Sequence, residues 1–112
     1  MTFESYRGLP VLVTGHTGFK GAWLCTILQH LGAKVHGYAL EPNVPSLYTE
    51  LNEQVSGRFA DIRDFHALCA YMKLVRPRIV FHLAAQALVS VGKLNPIDTF
   101  STNIMGLVHV LE

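Results

Sequence analysis

Charge, cysteine and long apolar runs are all scarce in this sequence. Asp, Glu, Lys and Arg make up 15% of its 112 residues, and the net charge is +1 with histidine neutral. No basic cluster is present, which argues against a nucleic-acid or polyanion partner. There are two cysteines, Cys25 and Cys69, neither in a CxxC pair nor at metal-ligand spacing. Both fall in helix-like segments and read as buried free thiols, which suits a reducing cytoplasm. The histidines show no HxH or HxxxH spacing, which argues against a metal site. Apolar runs are short and broken by glycine or charge, so no membrane span is expected. Met1–Arg7 carries an acid and a base before the first apolar run, unlike a secretory signal. No internal repeat or low-complexity segment occurs.

Apolar residues, in contrast, make up 50% of the chain, enough for one cored domain. Pro10–Thr14 is a continuous run rich in β-branched residues, the signature of a strand buried on both faces. A helix is predicted over Phe19–Leu31, stopped by Gly32. Lys34–Leu40 reads as a second strand. Pro42 and Pro45 open a loop that runs to about Ser56, and Arg58–Ala60 reads as a short third strand. Asp64 is placed to cap a helix through about Val75, which Pro77 ends. Arg78–Leu83 reads as a fourth strand, and Ala84–Asn95 as irregular. Pro96 starts a last helix that runs to the end of the sequence. Strands alternating with helices predict an α/β fold: a parallel sheet with flanking helices and right-handed crossovers. The final helix has no stop signal, and a doubly wound sheet has more than four strands. The chain is therefore expected to be the first part of a larger domain.

The first strand runs directly into Thr14-Gly-His-Thr-Gly-Phe-Lys-Gly21, which opens the first helix. The GxxGxxG spacing is one residue longer in its first gap than the common dinucleotide-binding form. The same physics applies. Gly15 permits the sharp turn, Gly18 lets backbone approach a pyrophosphate, and Gly21 lets the helix pack on the sheet. The helix start then offers free N–H groups to phosphates. This is a Rossmann-type arrangement, and the alternative is a plain tight turn. Lys20 either touches a phosphate or is a solvated lysine. His16 either borders the cofactor or only decorates the turn. The usual ribose-binding acid is missing at Ala39, and Glu41, two residues later, either substitutes or sits in a surface loop. Asp61 and Ile62 follow the third strand, where a carboxylate can accept from an adenine amine or cap the next helix. Leu83-Ala-Ala-Gln86 follows the fourth strand, where small residues leave room at the sheet's carboxyl edge.

Several stretches occur in one order: Val13–Gly21, Val35–Leu40, Pro45-Ser-Leu-Tyr48, Asp61-Ile-Arg-Asp64, Ile79–Gln86 and Thr99–Gly106. Together they resemble the start of the CDP-glucose 4,6-dehydratases, a branch of the extended short-chain dehydrogenase/reductases. The likeness covers nearly the whole chain, and the missing ribose acid is normal in that branch. The resemblance implies NAD as cofactor and CDP-glucose as the full-length enzyme's substrate. It implies conversion to CDP-4-keto-6-deoxyglucose and water through transient oxidation at C4, in deoxysugar and O-antigen synthesis, and a homo-oligomer at full length. It implies that Gly15, His16, Thr17, Gly18, Phe19 and Gly21 line the pyrophosphate. Asp61 and Ile62 would flank adenine, Leu83, Ala84 and Ala85 would follow the nicotinamide half, and Thr102 would join them. Asn103 completes the family's Thr-Asn pair. Gln86 would approach the sugar. One stretch departs: Gly92 and Lys93 stand where the family has Ser-Tyr, on the substrate side.

The family's proton-transfer tyrosine belongs to a Tyr-x-x-x-Lys pair. Four residues after Tyr6, Tyr38, Tyr48 and Tyr71 stand Pro10, Pro42, Asn52 and Val75, so no such pair occurs. Without an aligned acid or base the chain is expected to bind dinucleotide weakly and not to turn over sugar. Uncovered apolar faces are expected to make it associate.

Overall fold

The computed structural model describes residues 3–42, 46–51 and 55–112. β1 (Pro10–Thr14) is the centre of the molecule, and Val11, Leu12 and Val13 are wholly buried. It pairs in parallel with β2 (Lys34–Ala39) on one side and with β4 (Ile79–His82) on the other. β3 (Ser56–Phe59) pairs in parallel with the outer edge of β2, so the order is β3-β2-β1-β4. Side chains alternate along β1 and feed two cores. Val11 and Val13 pack with Cys25, Leu28 and Val35 beneath α1 (Phe19–His30). Leu12 packs on the opposite face with Tyr38, Ile62, Leu68 and Tyr71, partly supplied by α3 (Phe65–Val75). Each buried aliphatic side chain contributes about 1.5–3 kcal/mol.

Helix ends follow local chemistry. α1 closes in a Schellman motif: Gly32 N–H bonds the Gln29 carbonyl at 2.9 Å and Ala33 N–H the Leu28 carbonyl at 3.1 Å. The Asp64 side chain caps α3 by accepting from Ala67 N–H at 3.1 Å. Arg76, just before Pro77, ends it with φ 49°.

Three segments differ from the sequence expectation. Within the expected loop, Leu47–Glu50 forms a helical turn, α2, held by a capping box between Ser46 and Thr49. Such a turn rests on two polar side chains and has no apolar periodicity to announce it. Pro45 lies outside the described residues. The stretch expected to be irregular contains α4 (Val89–Leu94), which starts without a side-chain cap. The last helix is three pieces in succession: α5 (Pro96–Phe100), a π-helical turn (Ser101–Met105) and α6 (Gly106–Leu111). Cys25 is buried and Cys69 half-buried, both unpaired. Among the described residues, no helix is long and apolar enough to cross a membrane.

Candidate functional site

All four strands are parallel, so their carboxyl ends meet along one edge, and a cleft opens there. Gly15, Thr17 and Gly18 line it from the turn after β1, and Ala39 and Leu40 from the end of β2. Ala60, Asp61, Ile62 and Arg63 line it after β3, Leu83, Ala84 and Ala85 after β4, and Thr102 from the π-helical turn. Ligands of open α/β sheets bind at this edge.

The turn is built for close backbone contact. Gly15 has φ 76°, and its N–H donates to the Tyr38 carbonyl at 2.9 Å. A Cβ there would lie 2.8 Å from Leu83 C and Ala84 N. Gly18 N–H bonds the Gly15 carbonyl at 3.1 Å, and a Cβ on Gly21 would collide with that same carbonyl oxygen. Thr17 Oγ1 donates to the Leu40 carbonyl at 2.9 Å and ties the turn to β2. α1 then begins at Phe19 with no side-chain cap. Its first turn therefore presents backbone donors and a positive dipole end to the cleft, the donor set that a pyrophosphate needs. The glycine cradle and the uncapped helix fit a dinucleotide.

Beneath the cleft, Thr14 Oγ1 joins β1 to the loop after β4. It accepts from Leu83 N–H at 3.0 Å and Ala84 N–H at 3.2 Å. With both lone pairs used, the hydroxyl donates its own proton to His82 Nδ1, 2.7 Å away. That bond requires a neutral imidazole carrying its proton on Nε2. Burial lowers the His82 pKa below its ordinary 6.5, which favours the same state.

At the far end, the Arg63 guanidinium grips the Asp61 carboxylate, with Nη2 to Oδ2 at 2.7 Å and Nε to Oδ2 at 3.0 Å. This bonding holds the Asp61 carboxyl below its ordinary range. Arg63 Nη1 also reaches Asp98 in α5 at 3.4 Å. Ile62 is buried, and its carbonyl oxygen lies 2.9 Å from His109 Nδ1 of α6. The loop after β4 is fixed by Asn103, whose side chain accepts from Gln86 N–H at 2.7 Å and donates to the Gln86 carbonyl at 2.9 Å.

The structure gathers Gly15, Thr17, Gly18, Asp61, Ile62, Leu83, Ala84, Ala85 and Thr102 around one cleft. Phe19 is 69% exposed and stands outside it, while Gly21 lies behind it against Gly15. The His16 side chain is wholly buried and points away from the cleft wall. Gln86 lines a second hollow with Gly92, Lys93 and Phe100. Its amide is spent within the chain, accepting from Leu88 N–H at 2.6 Å and donating to Thr99 Oγ1 at 3.1 Å. Glu41 and Lys20 are exposed. Sequence reasoning missed Thr14, Leu40 and Arg63. A threonine ending an otherwise apolar buried strand was the available signal for the first. The other two have no local signal.

A sequence model of the GDP-mannose 4,6 dehydratase family matches residues 12–112. A CDP-glucose 4,6-dehydratase of Salmonella typhimurium is 51% identical over 110 residues, covering 96% of this chain and 31% of that protein. An epimerase structure from Methanothermobacter thermautotrophicus superposes with a TM-score of 0.84 at 33% identity, covering 97% of this chain and 32% of that one. A Thermus thermophilus UDP-glucose 4-epimerase in complex with NAD gives a TM-score of 0.77 at 30% identity, covering 90% of this chain and 32% of that one. The chain thus spans about a third of the length of these relatives.

Proposed function

Because this chain belongs to the GDP-mannose 4,6 dehydratase family, we propose that it is the NAD-binding N-terminal part of a CDP-glucose 4,6-dehydratase. The whole enzyme would convert CDP-glucose to CDP-4-dehydro-6-deoxyglucose and water, in deoxysugar and O-antigen synthesis. The observation that carries the reading is the cleft at the strands' carboxyl edge, with the uncapped start of α1 behind the glycine turn. NAD would supply reversible hydride acceptance. Gly15, Thr17 and Gly18 would hold its pyrophosphate by backbone donors, supported by Gly21, with His16 within this turn and Phe19 directly after it. Asp61 and Ile62 would border adenine. Leu83, Ala84, Ala85 and Thr102 would border the nicotinamide half. Gln86 would face the sugar side. Proton transfer falls to residues outside this chain, since no tyrosine here has a lysine four residues on. The whole enzyme is read as a cytoplasmic homo-oligomer whose partner is a nucleotide-sugar.

Titration calorimetry with NAD and ADP-ribose tests the cofactor half. Saturable binding of both is expected, and its absence from the folded chain would overturn it. The whole protein, loaded with NAD and given CDP-glucose, should yield a 4-keto sugar detected by its absorbance in alkali. A 4-epimerised sugar as the sole product would instead place the chain with the epimerases.

A further inference from the structure

His16 leaves the phosphate turn and enters the sheet. Its side chain is wholly buried and lies over Gly37 of β2 and Gly57 of β3, which are register partners. These two residues have no side chain where their neighbours would, and the imidazole occupies that space. A Cβ on Gly37 would overlap the ring, and a Cβ on Gly57 would stand 3.0 Å from Nε2. Phe59 stacks on the ring at 6.1 Å between centroids and 14° between planes. Tyr48 of α2 meets it edge-on at 5.3 Å and 90°. Neither ring nitrogen has a hydrogen-bond partner among the described residues. A buried polar ring without partners is costly, so shape rather than bonding holds it there.

The consequence falls on the turn. His16 is flanked by Gly15 and Thr17, both of which line the cleft. Its Cα cannot move without pulling the ring from its slot. Gly15 N–H to the Tyr38 carbonyl and Thr17 Oγ1 to the Leu40 carbonyl anchor the same three residues to β2. We infer that His16 is a positioning residue for the phosphate turn, keyed into the slot floored by Gly37 and Gly57, and that it sets cofactor affinity without touching cofactor. This rests on the dinucleotide reading above for its functional consequence, and on geometry alone for the turn.

Two measurements on this chain test it. Amide hydrogen exchange in unliganded His16→Ala should be about tenfold faster over residues 15–21, with the β1 amides still protected. NAD affinity by calorimetry should fall about tenfold. Gly37→Ala should produce the same two changes by expelling the ring. The double variant His16→Ala/Gly37→Ala should lose less than the sum, because the added methyl group then meets an empty slot. Unchanged exchange over the turn, or additive effects of the two substitutions, would overturn the inference. Should His16→Ala not fold, Gly37→Ala alone carries the exchange and affinity comparison, since its Cβ would overlap the ring. Should the unsubstituted chain bind no NAD, the dinucleotide reading fails, while the exchange arm and its double variant still decide the role of His16 in the turn.

Discussion

Thr14 shows how much one hydroxyl can organise. Its oxygen accepts two backbone N–H groups from the loop after β4 and donates to His82. Thr14→Val keeps the shape but orphans Ala84 N–H, while Leu83 N–H keeps its second acceptor, the Thr14 carbonyl at 3.0 Å. A buried donor left unsatisfied costs about 1–3 kcal/mol. Thr14→Val should therefore lower unfolding free energy in urea by about 2 kcal/mol, with Thr14→Ser near wild type. A valine variant as stable as the serine variant would contradict the network. A second residue-scale prediction follows from His16, whose pKa burial lowers from 6.5 to about 4. In the unfolded chain it takes up a proton near pH 6.5, whereas the folded chain resists until about pH 4. Stability is thus intact above pH 6.5 and falls as pH drops towards 4, by about 3 kcal/mol from this group. His36 and His82 shift in the same direction. Urea unfolding across that pH range should show the decline, and a flat profile would contradict a buried neutral imidazole. Neither residue was fully legible from sequence. The turn drew attention to His16, but the slot that receives it consists of glycines 21 and 41 positions later. Only the parallel pairing of β2 with β3 brings them together.

Elements were legible where their signals were local. The apolar run of β1 and the Asp64 cap each sit within a few residues of the structure they determine. α4 was hidden because its first residues are organised by the Gln86 side chain, which wraps the Leu88 backbone. The π-helical turn was hidden because its Asn103 and Thr102 answer to the loop after β4 and to the cleft. α3 offers a test of both its ends. Asp64→Ala removes a cap and should cost about 1 kcal/mol. Arg76 holds a left-handed conformation that favours glycine, so Arg76→Gly should gain about 1 kcal/mol. Chemical denaturation checks both. Equal and opposite shifts in midpoint are expected, and a destabilised Arg76→Gly would mean that the Arg76 side chain itself stabilises the helix end.

At the scale of the whole molecule, the two sides of the sheet are unequally covered. β4 is the last strand in the order, and among the described residues nothing pairs with its outer edge. Val80 and Leu83 are exposed beside it. On α1, Phe19, Trp23 and Ile27 recur every fourth residue and are all exposed, forming one apolar stripe. Ile97, Phe100, Ile104, Leu107 and Leu111 form another along the last helical run. Isolated exposed apolar residues are ordinary, but contiguous stripes beside an open strand edge favour association. With a net charge of only +1, little electrostatic repulsion opposes it. The isolated chain should therefore sediment above its monomer mass of 12.4 kDa, increasingly so with concentration. Trp23, the single tryptophan, stands within the α1 stripe, so its emission should shift to the blue over the same range. Substituting Ile27 and Phe100 with lysine should reduce the association while leaving both cores intact, since neither residue is buried. A single species at 12.4 kDa, independent of concentration and unfolding cooperatively, would show that these stripes tolerate water as they stand.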